Sequence, residues 1–279
     1  MSTNSIDTAK RLFIRWERHF SLTKRQQFVG VTSLLTVGLL MTQLVTGESR
    51  YLFVFLLSLS AAGLSALVFR QELRGMEWLT ILSLPTLFTT AVALFYFLLP
   101  VRWLTRLPVA LLYGIGIYAL LLTENIYTVA ADRTIALLRA AHSVGFLLTL
   151  FTYFLLVQTV LAFRFIAPVQ MLLIGIVSFF LVLQSVWSME LSEALGRRVW
   201  HISIAICVFL TELVWVFSFL PTKTTLLALL FTTAFYSTVG MAQQYLVEKL
   251  YKKTVIEFFA VAAIVFIITL VATSWRGSV

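Results

Sequence analysis

A chain of 279 residues that is 60% hydrophobic and only 12% charged cannot hide its apolar surface in a water-soluble core, where about a quarter of residues would be charged. Lipid must solvate most of it, and the net charge of +9 then reads as Lys and Arg beside a membrane and not as a nucleic-acid surface. A single cysteine, Cys207, excludes a disulfide framework, a thiolate metal cluster and CxxC redox chemistry within one chain.

The first 25 residues are basic, with Lys10, Arg11, Arg15, Arg18, Lys24 and Arg25 around Leu12, Phe13, Trp16 and Phe20 at helical spacing. This predicts a short amphipathic helix lying on the anionic lipids of the inner leaflet. Binding of a cytoplasmic partner is the rival reading. A cleavable signal does not fit, because the segment is long and basic and the run behind it is long enough to span.

Charge is then absent from long stretches: Gln26–Gly47, Tyr51–Phe69, Trp78–Val101, Leu107–Thr123, Ala140–Phe163, Phe165–Met189, Thr224–Val247 and Phe258–Trp275. A ninth, Val199–Thr222, is interrupted only by Glu212. About 20 residues at 1.5 Å each cross roughly 30 Å of hydrocarbon. The expectation is an all-α bundle over residues 26–276, with nine transmembrane helices near 27–46, 51–69, 78–99, 107–126, 140–163, 168–188, 199–220, 224–244 and 257–275.

Within the second span, Ser58, Ala62 and Ala66 lie four apart, a spacing that lets helix backbones approach closely. "LFTTA" occurs at Leu87–Ala91 and again at Leu230–Ala234, in spans of opposite direction. An inverted repeat of spans 1–4 and 6–9 about a central fifth would produce that arrangement, and so would chance in so apolar a text. Pro100, Pro108, Pro168 and Pro221 fall at outer turns as stops or first-turn residues, with Pro85 alone inside a span. Trp78, Trp103, Trp187, Trp200 and Trp275 fall at span ends, where an indole favours the interface.

Counting Lys and Arg on alternate sides, a cytoplasmic N-terminus puts fifteen inside and six outside. That is the direction of the positive-inside bias, so the C-terminus is expected outside, in a cell membrane. Anionic lipids, and other membrane proteins, are the expected partners.

The densest polar stretch joins spans four and five: Glu124, Asn125, Asp132, Arg133, Arg139 and His142. The fourth span would reach the inner face near Ile126, which puts Glu124 at the headgroups. Continuous helical spacing would bring Glu124, Thr128, Asp132, Arg139 and His142 onto one face. They form either a solvated turn with weak interfacial ion pairs or an inner vestibule that gates or binds something. Glu212 lies near mid-membrane, where an ionised carboxylate is costly and needs a proton, a partner or water. Thr89, Thr90, Thr232, Thr233 and Ser237 are the polar side chains available on other spans. Intramembrane acids mark functional sites by default, so Glu212 is a proton or ligand-site candidate.

No HExxH, GxSxG, P-loop or glycine-rich nucleotide motif is present. The histidines His19, His142 and His201 are scattered, and no lysine falls within a span to carry a Schiff base. Neither a cofactor nor a metal is implied, and Glu48 in "GESR" is too little for the acidic outer loop of a membrane glycosyltransferase. The reading favoured by so little charge is a non-enzymatic membrane protein that scaffolds other membrane proteins or handles an apolar, lipid-like ligand. A small secondary transporter using Glu212 as its proton or cation site is the alternative, and an intramembrane enzyme comes third.

Overall fold

The computed structural model describes residues 23–42, 49–70, 77–99, 103–132, 137–191 and 196–273. The basic interfacial helix expected before residue 23 lies outside them. The described residues contain nine helices and no strand: α1 (Lys24–Met41), α2 (Ser49–Phe69), α3 (Glu77–Leu98), α4 (Trp103–Asp132), α5 (Leu138–Ala162), α6 (Ala167–Glu190), α7 (Arg197–Phe217), α8 (Thr224–Leu246) and α9 (Lys252–Val271).

Eight of the nine, α2 to α9, are long and apolar enough to cross a membrane. The first, α1, is 18 residues long and begins on Lys24 and Arg25. It runs antiparallel to α2: Lys24 Nζ donates to the Val68 carbonyl at 2.7 Å, and Phe28 meets Phe69 at 6.0 Å between ring centroids. The bundle is apolar outward as well as inward, with Leu104, Ile166, Phe259 and Val271 among the large side chains most exposed on its surface. That is how a chain solvated by lipid is built. The protein is an all-helical, multi-pass membrane protein.

Helix ends follow local chemistry. Pro168 sits in the first turn of α6, where its missing N–H costs nothing. Arg164, Leu191 and Glu248 take left-handed backbone angles, with φ of 51°, 48° and 59°. Each lies just past the end of a helix, a position that such angles commonly close. Charge-free runs understate some helices. α9 starts on Lys252 and takes Lys253 and Glu257 into its first two turns, since a helix continues past the hydrocarbon edge. For the same reason α4 begins at Trp103, so Pro108 lies in its second turn and not at a turn or first-turn position.

At the centre, α5 packs against α3, α4, α6 and α8, and α6 against α3, α5, α7 and α8. Ring contacts mark the core: Phe88 stacks on Tyr113 at 5.7 Å and Tyr153 on Phe235 at 4.4 Å. Trp187, expected at the lipid interface, is 2% exposed, because α6 has neighbours on all sides near its end. Trp78 does lie exposed. On α2 the packed stripe is Ser58, Ala61 and Ser65, one residue off the Ser58–Ala62–Ala66 line, with Thr90 Oγ1 donating to Ser58 Oγ at 2.8 Å.

Most Ser and Thr hydroxyls are spent within their own helices. Thr36, Thr86, Thr149, Thr159 and Thr232 each donate to the carbonyl four residues back, which satisfies them where no water is present. The two LFTTA segments sit on α3 and α8, which both pack on α5. Their surroundings diverge: α1 packs against α4, whereas the corresponding pair α6 and α9 is not among the packed pairs.

Candidate functional site: a buried polar junction beside a basic cavity

α4 runs 30 residues to Asp132, two turns beyond Glu124, so Glu124 does not lie in a wet loop. Its side chain turns inward and is 0% exposed. Gln184 of α6, 2% exposed, donates its Nε2 to Glu124 Oε1 at 3.1 Å. That burial overturns the reading of Glu124 as part of a solvated turn.

Three more helical contacts join at this level. One turn along α4, the Tyr127 hydroxyl donates to the Ala141 carbonyl of α5 at 3.0 Å. The approach of α4 to α5 depends on Gly145, where a Cβ would stand 2.5 Å from the Tyr127 hydroxyl. His142 Nε2 is 2.8 Å from the Ser188 carbonyl on α6, and its ring lies 5.5 Å from that of Tyr127. From α8, Gln243 Nε2 donates to both the carbonyl and the hydroxyl of Ser185, at 3.0 and 2.9 Å. Four helices are thus tied by amide, hydroxyl, imidazole and carboxyl groups near one end of the bundle.

Beside this junction lies a cavity of about 480 Å³ between α5, α8 and α9. Phe146, Tyr236 and Phe258 give it aromatic walls, Arg139 and Lys249 bring positive charge, and His142 and Gln243 line it from the junction side. Gly240 lets α9 approach closely here, since a Cβ would meet the Phe258 ring at 2.6 Å. A second cavity, of about 560 Å³, opens at the opposite end near Arg164, Ser218 and Lys223. It is larger, but its polar residues belong to turns and helix ends, and among the described residues no junction comparable to Glu124–Gln184 adjoins it.

The expected inner cluster therefore divides. Glu124 and His142 enter the same junction, Arg139 opens on the cavity, and the Asp132 side chain lies outside the described set. Glu124 and Thr128 belong to α4, whereas Arg139 and His142 belong to a separate helix, α5, so one continuous helical face does not join them. Glu212 is exposed on the outer face of α7, five residues before that helix ends at Phe217, and lines neither cavity. None of its suggested partners turns to it. Thr89 bonds Pro85 and Tyr113, Thr90 bonds Thr86 and Ser58, and Thr232, Thr233 and Ser237 donate to the carbonyls of Ala228, Leu229 and Phe258. Among the described residues no group of three or more His, Cys, Asp or Glu gathers in a metal-binding arrangement.

Gln184, Ser185, Ser188, Gln243 and Tyr127 escape a search for charge because they are neutral. Two glutamines within apolar helices are nonetheless a signal, since each amide must find several hydrogen-bond partners where lipid offers none.

A family model described as a protein of unknown function, DUF5656, matches residues 29–272. The chain belongs to the DUF5656 family. The matched stretch covers most of α1 and all of α2 to α9, so the junction, both cavities and Glu212 lie within the DUF5656 region. No curated protein and no solved structure matches.

Proposed function

We propose that this DUF5656 protein is a non-enzymatic membrane protein that handles an apolar, lipid-like ligand with an anionic head. The observation that carries the reading is the cavity between α5, α8 and α9, which sets the aromatic rings of Phe146, Tyr236 and Phe258 beside Arg139 and Lys249. Aromatic walls suit acyl chains, and guanidinium and ammonium groups suit phosphate oxygens through charge-assisted hydrogen bonds. His142 and Gln243 are held in place by Ser188 and Ser185, which fixes the polar wall before a ligand arrives. With the expected orientation this cavity faces the inner leaflet, where anionic lipids and polybasic segments meet.

The test compares the protein with an Arg139→Gln/Lys249→Gln variant in nanodiscs of phosphatidylglycerol or phosphatidylcholine, reading retained lipid by native mass spectrometry. The wild-type protein should retain phosphatidylglycerol preferentially, and the double variant should bind it at least about tenfold more weakly. Equal retention of the two lipids by both proteins would remove the reading. A scaffold role is the second reading, favoured by Glu212 facing away from the bundle. A carboxyl on the lipid-facing side of a helix is a natural point for hydrogen bonding to a neighbouring membrane protein.

A further inference from the structure

Hydrogen-bond accounting around Glu124 leaves a gap that ligand binding in the cavity does not explain. Gln184 Nε2 donates to Glu124 Oε1. The other oxygen of each group, Glu124 Oε2 and Gln184 Oε1, is buried and has no hydrogen-bond partner among the described residues. A carboxylate offers only acceptors, and so does the amide oxygen, so the two orphans cannot satisfy each other in the ionised state. Buried acceptors without donors are rare, and leaving them so is costly.

One hydrogen atom closes the account. A protonated Glu124 carries an O–H on Oε2 that can donate to Gln184 Oε1, while the amide N–H continues to donate to Oε1. Acid and amide then form a ring of two hydrogen bonds, neutral overall, and both orphans are used. We propose that Glu124 and Gln184 form a buried proton-binding site, in which one proton is held between Glu124 Oε2 and Gln184 Oε1.

The ionisable groups on the surrounding helices have other engagements. Tyr127 donates to the Ala141 carbonyl, His142 is joined to the Ser188 carbonyl and Tyr153 to the Ser178 hydroxyl. On α1, Lys24 donates to the Val68 carbonyl, while Arg139 and Lys249 line the cavity. Among the described residues no cation is bonded to the carboxyl, and the proton neutralises it. Gln184 adjoins Ser185, whose hydroxyl is bonded to the cavity-lining Gln243. This assignment stands on the junction alone and is independent of what the cavity holds.

Infrared difference spectroscopy on the full chain in nanodiscs at neutral pH, comparing wild-type protein with Glu124→Gln, tests it. The wild-type protein should show a protonated-carboxyl carbonyl band that Glu124→Gln lacks. Gln184→Leu keeps the acid but removes its partner, and should shift that band to higher frequency. Glu124→Gln replaces the acid by an amide that can close the same ring, and should melt within a few degrees of the wild-type protein. Absence of the band, or its persistence in Glu124→Gln, would overturn the proposal. So would a wild-type melting temperature that rises in sodium chloride relative to choline chloride, because a metal ion would then occupy the two oxygens.

Discussion

Of the glutamates in the helices of this protein, Glu124 and Glu212 are treated oppositely by the bundle. Around Glu124 the helical neighbours Ile117, Leu120, Leu121, Tyr127 and Thr128 are all buried. Around Glu212 the neighbours Val208, Phe209, Trp215 and Val216 are all exposed. Glu124 is enclosed and bonded to an amide, whereas Glu212 points out of the bundle near the end of α7. Distance along a helix axis told little about either side chain, and rotation about that axis decided both. A carboxyl is costly in hydrocarbon, and there are two remedies: an internal partner, or a position from which the side chain can reach toward the headgroups.

The largest effect should come from Glu124→Leu, which strands the Gln184 amide in the core. A loss of about 2–3 kcal/mol in unfolding free energy is expected, measured by denaturant titration in detergent micelles. An unchanged midpoint would erase the distinction between the two acids. Gly145→Ala comes next. Its methyl group meets the Tyr127 hydroxyl, α4 and α5 must part, and a cost of about 2 kcal/mol is expected in the same titration. Gln243→Leu removes two hydrogen bonds to Ser185 but keeps the side-chain volume, for about 1 kcal/mol. The smallest effect belongs to Glu212→Leu, whose stability should stay within about 0.5 kcal/mol of the wild-type protein. A fall at position 212 as large as at position 124 would show that something covers the outer face of α7.

Architecture was largely legible in the sequence, because lipid imposes one rule that composition obeys everywhere: backbone polar groups must be satisfied within a helix, and charge must gather at the ends. Helix number and order follow from that rule. The junction was legible only in part. Glu124 and His142 stand out by type, but α4 outruns its charge-free stretch by two turns past Glu124, so its burial was hidden. Rotational position was readable in principle. On α4 the exposed face carries Leu111, Leu112, Ile115, Leu122 and Val129, while Tyr113, Ile117, Leu120, Glu124 and Tyr127 share the buried one. On α7 the small and hydroxylic Ser203, Cys207 and Thr211 lie on the packed side, with Cys207 Sγ directed to the Gly175 carbonyl at 3.4 Å and Thr211 beside Gly175. Glu212 belongs to the opposite side. What no single-chain pattern could supply is the pairing of Glu124 with Gln184, sixty positions away, since hydrophobicity has no term for which polar groups will meet.

If the cavity holds a lipid-like ligand as proposed, peripheral helix α9 bears on how that ligand would enter. Its extensive packing is with α8 alone, and only 6% of its apolar stretch is buried, against 50% for α5. Yet Phe258 of α9, with Lys249 just before it, forms one wall of the basic cavity. Parting this outer helix would sacrifice far less contact than separating any pair at the centre, so the least costly doorway is sideways, toward the surrounding acyl chains. A guest using it could exchange with the bilayer laterally, keeping its tail among lipids throughout.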